Sequence, residues 1–333
     1  MVAQEQPYAL DGLVHGFVLD GRGGARQVEG AELDRLRLGE GEALWLHWDR
    51  SHPSARAWLR SASGLDAFAC DLLLEEGTRP RALPLGNEQL LLFLRGVNLN
   101  PGAEPEDMVA VRIFAEARQV ISLRLRPLRA TDAVIADWAK GEGPKTPSEL
   151  ILYLAHYLTD KVDGLIVELS DQVDLQEEAI DNDERYMPDH GQMLQVRRRA
   201  AGLRRFLAPQ RDIPGQLIRN RLAWFAEDDI RYWNELSNRL TRYLEELELI
   251  RERVGLVLES EHQRTSERTN RTMYLLGIVT GFFLPLSFIT GLLGINVGGM
   301  PGADNPEGFM VACLAIMAVA GFQWWLFRRL RWL

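Results

Sequence analysis

The feature that most constrains this chain is the run from Thr272 to Ala303, TMYLLGIVTGFFLPLSFITGLLGINVGGMPGA, which contains no Asp, Glu, Lys, Arg or His. A helix needs roughly 20 consecutive apolar residues to cross the hydrocarbon of a bilayer, and Met273 to Gly294 supplies them. A second uncharged run, GFMVACLAIMAVAGFQWWLF from Gly308 to Phe327, is long enough to return. The chain is therefore expected to end in a transmembrane hairpin, with spans over 272–294 and 309–327, an outer loop over 295–308 and a basic tail over 328–333. Arg264, Arg268 and Arg271 precede the first span, Arg328, Arg329 and Arg331 follow the second, and the connection holds only Asp304 and Glu307 as charged residues. Basic residues stay on the cytoplasmic side. Both termini are expected inside, in a multi-pass protein of the inner (plasma) membrane.

What precedes the spans is soluble in character. The segment MVAQEQPYALDG has neither the basic leader nor the apolar core of a signal peptide, so a large cytosolic domain is expected. Cys70 and Cys313 stand in very different settings and offer no disulfide framework or Cys-x-x-Cys metal site. The net charge of -9 argues against nucleic acid as a partner and suits a domain that meets cations.

Over 1–145, short apolar runs rich in β-branched residues read as strands: Leu13 to Leu19, Ala43 to Trp48, Gln89 to Val97, Met108 to Phe114 and Gln119 to Leu125. Pro53 to Ala62, Leu65 to Glu75 and Leu128 to Lys140 have helical spacing between them. An α+β cytosolic domain with a mixed sheet is expected here. Over 146–271 the pattern changes to a stalk of long helices. Thr146, Pro147 and Glu149 form an N-cap, first-turn proline and capping-box glutamate, and Ile151, Leu154, Leu158, Val162, Leu165, Leu169 and Val173 keep one apolar face. The opposite face is acidic, from Asp160 to Glu184. A basic helix over about Gln192 to Leu207 follows, with Pro209 expected to end it. The two read first as solvated faces that pair, and second as a regulatory cation surface.

No proline lies between Pro214 and Pro285, so one helix is expected from about Gly215 through the membrane. Trp233, Leu236, Leu240, Tyr243, Leu247, Ile250, Val254 and Val257 form a coiled-coil-like seam along it. Propensity alone does not hold so long a helix. The seam must be buried within the chain or against neighbouring subunits. Further along, alternating steps of three and four pick out Asn270, Met273, Gly277, Thr280, Leu284, Ser287 and Gly291, a stripe of small, polar or thin side chains. Such a stripe suits a pore wall. It also suits close helix packing, since Gly277 and Gly281 make a Gly-x-x-x-Gly pair. Pro285 has no N–H for the carbonyl of Gly281, which leaves a kink or a free polar group.

Past Gly291 the chain reads GLLGINVGGMPG. Gly294-Ile295-Asn296 at the end of the first of two C-terminal spans resembles the Gly-Met-Asn signature of the CorA metal-ion transporter family, and is most similar to its zinc-transporter branch, ZntB. There a non-Met middle residue and a following GG-apolar-PG are usual. The segments DGRGG at Asp20 to Gly24, TRPR at Thr78 to Arg81, APQRD at Ala208 to Asp212 and the terminal Trp332-Leu333 extend the resemblance over nearly the whole chain. It implies a CorA-like homopentameric funnel with an α/β cytosolic domain, a helical stalk and a pore lined by the first span of every subunit. It further implies an outer-mouth ring of Asn296, with Gly294 permitting the turn, and pore-facing Asn270, Met273, Gly277, Leu284 and Ser287. Ile295 stands where the Mg2+ branch has Met, and Leu293 and Val297 stand where it has aromatic residues.

An uncharged amide ring can hydrogen-bond the water shell of a divalent ion without stripping it. Zn2+ held directly would prefer His nitrogen and Cys sulfur in tetrahedral array, and the stripe has neither, so no inner-sphere metal site is assigned. Met273 and Leu284 would close the path as apolar rings by dewetting. Asp304 and Glu307 would concentrate cations at the outer mouth. Among His15, His47, His52, His156, His190 and His262, only His47 and His52 are near in sequence, and a structural role is expected for both. No nucleophile with a base and no phosphate loop is present, so no enzyme activity and no cofactor are expected. The leading reading is transport of Zn2+ by a lipid-embedded homopentamer, with proton coupling implied by the resemblance. The alternatives are a CorA-type Mg2+/Co2+ channel and, from another class, a membrane-tethered scaffold that conducts nothing.

Overall fold

The short apolar runs of the N-terminal part pair into one seven-stranded sheet. In the computed structural model, which describes residues 11–86, 88–183, 185–295 and 306–331, the chain divides into two units, Met1–Leu258 and Glu259–Leu333. The first unit contains β1 (Leu13–Leu19), β2 (Ala25–Gln27), β3 (Ala43–Asp49), α1 (Pro53–Ser61), α2 (Ala67–Leu74), β4 (Arg81–Leu85), β5 (Gln89–Gly96), β6 (Val109–Glu116), β7 (Gln119–Arg124) and α3 (Arg129–Lys140). The strand order is β2-β1-β3-β7-β6-β5-β4. β3 and β7 are parallel and the other neighbours antiparallel. The chain leaves β3 through α1 and α2, reaches the far edge at β4, and returns by hairpins to close against β3.

The sheet is covered on both faces, which explains why β5 reads as an unbroken apolar run. Leu90, Leu92 and Leu94 point into a core shared with Trp45, Val111, Ile113 and the α3 residues Val134 and Trp138. Leu91 and Phe93 point the other way, among Leu46, Trp48, Phe114, Ile121 and the side chains of α1 and α2. The expected strands are all present. The two unexpected ones, β2 and β4, are the sheet edges, where polar ARQ and a strand containing Pro84 carry little apolar pattern. The DGRGG segment is a turn, with Asp20 Oδ1 accepting from the N–H groups of Arg22, Gly23 and Gly24 at 2.7, 3.1 and 3.0 Å.

Three long helices follow: α4 (Pro147–Asn182), α5 (His190–Arg219) and α6 (Asp229–Leu293). Thr146 caps α4, accepting from the Glu149 N–H at 3.2 Å, while the Glu149 carboxylate accepts from the Lys145 N–H at 2.8 Å. α5 corrects the expectation that Pro209 ends it: the helix runs through both Pro209 and Pro214. Each proline removes a ladder bond at a cost of about 3 kcal/mol, but the buried side chains of Leu203, Leu207, Ile213 and Leu217 continue across both, and this packing holds the helix. In consequence α6 begins at Asp229, not near Gly215, and is 65 residues long.

The seam residues of α6, Trp233 through Val257, are at most 2% exposed and share one core with α4 and α5. The seam is thus buried within its own chain. The acidic face of α4 pairs with α6 more than with the basic helix α5: Arg253 bonds both Asp174 and Glu177, and Arg239 reaches Asp160 at 2.6 Å. From α5, Arg199 takes Glu168 at 2.8 Å, whereas Arg204 pairs with Glu248 of α6 at 3.2 Å.

The second unit holds the remainder of α6 and α7 (Gly308–Arg329). Both helices are long and apolar enough to span a bilayer, and their most apolar windows are 0% and 6% buried, unlike the core helix of a soluble protein. At the end of α7, Arg328 and Arg329 lie over Trp324 and Trp325 at 5.5 and 5.3 Å from the ring centroids, the aromatic and basic pairing typical of a membrane interface.

Candidate functional site

Within the second unit α6 has a covered face and an open one. Ile278, Gly281, Phe282, Pro285, Leu286 and Ile289 are partly covered. A Cβ on Gly281 would lie 3.2 Å from the ring of Phe327, so the absent side chain lets α7 approach. The stripe of Asn270, Met273, Gly277, Thr280, Leu284, Ser287 and Gly291 is exposed throughout. At about 100° per residue it lies well round the helix from the face that meets α7. Of the Gly-x-x-x-Gly pair only Gly281 is used in this packing, since nothing lies within 4 Å of where a Gly277 Cβ would be.

The polar group that Pro285 would strand has a partner. Gln323 of α7, 8% exposed, donates from Nε2 to the Gly281 carbonyl at 3.3 Å. In lipid an unsatisfied carbonyl costs several kcal/mol, and this amide replaces the missing N–H. Pro285 marks the vacancy in the sequence, whereas the side chain that fills it comes from another helix. The available signal was one amide in an otherwise apolar span. Gln323→Leu is expected to destabilise the hairpin by about 1 kcal/mol, measured as a lower melting temperature in detergent. Pro285→Ala restores the N–H and should remove most of that cost in a double-mutant cycle; additive effects of the two would deny the pairing.

At its outer end α6 closes with the Gly294 N–H on the Thr290 carbonyl at 3.0 Å. Gly294 is not among the positive-φ residues. Its missing side chain instead avoids the Thr290 carbonyl oxygen, which a Cβ would approach to 3.2 Å. Ile295 is 47% exposed. Asn296 and Asp304 lie outside the described residues, and Glu307 is the exposed N-cap position of α7. His262, before the span, is exposed.

Other clusters of titratable groups are engaged in the fold. His47 is fully buried, with Nδ1 2.7 Å from Ser122 Oγ, and its ring stacks on His15 at 6.0 Å. Burial, with Arg124 nearby, holds its pKa well below the usual imidazole value. His52 caps α1. A recess lined by Glu149, His156, Asp160, Asp228, Asp229 and Tyr232 was not anticipated. Its acids are partly in use, Asp229 accepting from Ser148 and Asp160 pairing with Arg239. Among the described residues no three His, Cys, Asp or Glu side chains converge to hold a metal ion.

Comparison with known proteins bears on the function of these spans. A family described as CorA-like Mg2+ transporter protein matches residues 40–329. The divalent cation transporter CmaX of Pseudomonas aeruginosa is 66% identical, over 97% of each chain. The structure of the full-length CmaX protein superposes with a TM-score of 0.87 at 63% identity, covering 99% of this chain and 100% of that one. The zinc transport protein ZntB of Pectobacterium atrosepticum is 34% identical, over 97% of this chain and 96% of its own.

Proposed function

Because the chain belongs to the CorA-like Mg2+ transporter family, we propose that it carries hydrated Zn2+ inward along the open face of α6, five such faces forming the wall of a homopentameric pore. The chain is a divalent cation transporter of the inner membrane, with two spans and a cytoplasmic domain, and is not an enzyme. The observation that supports the pore reading is the division of α6 into two faces: α7 packs on one and leaves the stripe from Asn270 to Gly291 uncovered. A wall of this kind, with no charged side chain, no His and no Cys, suits an ion that keeps its water. Met273 and Leu284, 67% and 66% exposed in the single chain, would narrow the path as apolar rings. Zinc is favoured by the likeness to ZntB and by Ile295 in place of Met. The Mg2+/Co2+ channel is the alternative.

Flux into proteoliposomes tests the ion. Zn2+ uptake at a fixed inside-negative potential should exceed Mg2+ uptake at equal concentration; the reverse order would transfer the assignment to Mg2+. A divalent ion gains about 4.6 kcal/mol on moving inward across 100 mV, twice the single-charge value, so potential alone drives uptake. If protons are coupled to it, the groups must lie off the stripe, which has no titratable side chain. Asp304, Glu307 and His262 flank the span. The triple variant Asp304→Asn, Glu307→Gln, His262→Gln is expected to weaken the response of initial Zn2+ flux to a pH gradient, and an undiminished response would exclude these three groups.

A further inference from the structure

Five arginines converge on one cavity of the first unit. Arg50, Arg95, Arg112, Arg126 and Arg205 line a recess of about 490 Å3 beside β5, β6 and α5. Among the described residues none of the five has a carboxylate within ion-pair distance. The nearby acids are drawn elsewhere: Glu75 to Arg81 at 2.9 Å and Glu106, itself in the lining, to Arg199 at 3.2 Å. Asp107 is the other acid of the lining. Five positive charges against two negative leave a clear excess in a space of the size that small ligands occupy.

The deepest of these cations are buried, which is costly for a charge without a counter-ion. Arg112 and Arg50 are 4% and 6% exposed. Arg112 donates to the Leu73 carbonyl at 2.6 Å, and Arg50 to the carbonyls of Leu74 and Glu75, both at 2.9 Å. These bonds close the C-terminal end of α2, a structural role that accounts for two arginines. They do not account for the other three. Arg95 is fixed by the carbonyls of Met108 and Thr78 at 2.8 and 2.9 Å, and its Nε is buried without a partner. The Phe206 ring is flanked by Arg95 and Arg205, 4.7 and 5.5 Å from its centroid, which orients both guanidinium groups. Arg126 and Arg205 form the exposed rim. Burial and the neighbouring Arg50 and Arg95 push Arg112 down to about 10, the sign of a cluster that an anion would relieve.

We propose that this cavity binds a soluble polyphosphate anion, either inorganic or as the phosphate chain of a nucleotide. Preset arginine forks match phosphate oxygens, and the surplus of positive charge calls for a ligand carrying at least two negative charges. The site is independent of the ion that crosses the membrane, so it stands or falls separately from the zinc reading.

The test uses the full chain in detergent with EDTA present and ionic strength held constant. Titration with pyrophosphate is expected to give saturable heat in calorimetry and a melting temperature that rises with ligand. Arg126→Gln/Arg205→Gln, both at the exposed rim, should weaken binding at least tenfold and leave the unliganded melting temperature unchanged; Arg126→Gln alone repeats the comparison with the least disturbance. ATP binding more tightly than pyrophosphate would assign the natural ligand to nucleotides, and equal binding would assign it to inorganic polyphosphate. No saturable binding, as when acidic side chains of a second copy fill the recess, overturns the proposal. So does binding that the rim variants leave intact.

Discussion

Asn296→Ala is expected to bring Zn2+ flux in proteoliposomes down to that of empty liposomes while the assembly keeps its mass in solution. α6 ends at Leu293, Gly294 closes its last turn, and Ile295 is half exposed beyond it. Asn296 follows directly, at the position that the CorA-family signature gives to the outer mouth. A hydrated divalent ion offers donors from its water shell, and an amide oxygen accepts them. Alanine offers nothing. A hydrogen bond to a charged group contributes about 1.5–3 kcal/mol, so even one lost contact lowers occupancy more than tenfold, and a ring would lose several. Because α6 ends at Leu293 and the buried seam at Val257, assembly should be untouched. Near-normal Zn2+ flux with Asn296→Ala would remove this residue from the ion path.

The second large effect concerns the stalk. Leu240→Glu or Leu247→Glu is expected to unfold the cytoplasmic unit. Both side chains are 0% exposed and sit in the core shared by α4, α5 and α6. A carboxylate there is a buried charge with no partner, which costs about 3–5 kcal/mol against a total stability of about 5–15 kcal/mol. Leu249 and Leu256 lie on the same helix but are 54% and 60% exposed. Leu249→Glu and Leu256→Glu should therefore change the monomer's stability by no more than about 0.5 kcal/mol. Thermal melts followed by circular dichroism separate the two pairs. Equal stability of all four variants would show that the seam is not the core.

The parts of this architecture that were legible in sequence are those written by periodicity over long stretches. The α6 seam repeats from Trp233 to Val257, and every member is buried. The central strands announce themselves through runs such as Leu90 to Leu94, apolar because both faces are covered. The failures have a common cause, which is that tertiary contact outweighs local rules. Pro209 and Pro214 are breakers by themselves, yet the buried side of α5 carries the helix through them. The pairing of Gly281 with Gln323 joins residues 42 apart, and no local pattern links them. The arginine cavity draws on β3's following turn, β5, β6, β7's following turn and α5, so its charges are scattered in sequence and gathered only by the fold. The stripe from Asn270 to Gly291 could be read as pore wall or as packing face. α7 meets α6 at Gly281 and leaves the stripe uncovered, which supports the pore reading proposed above.

The amide of Gln323 also has a mechanical consequence. In an ordinary stretch of helix, bending breaks a bond of the backbone ladder. At Gly281 the bond belongs to a side chain of another helix, so α6 can hinge there by releasing one contact while its own ladder stays intact on either side. Such a bond between membrane helices contributes about 0.6–1.7 kcal/mol net, so a bend at Gly281 gives up little hydrogen-bond energy. The hinge lies between Met273 and Leu284, so in the proposed pore the same small motion would shift the Leu284 ring relative to the Met273 ring.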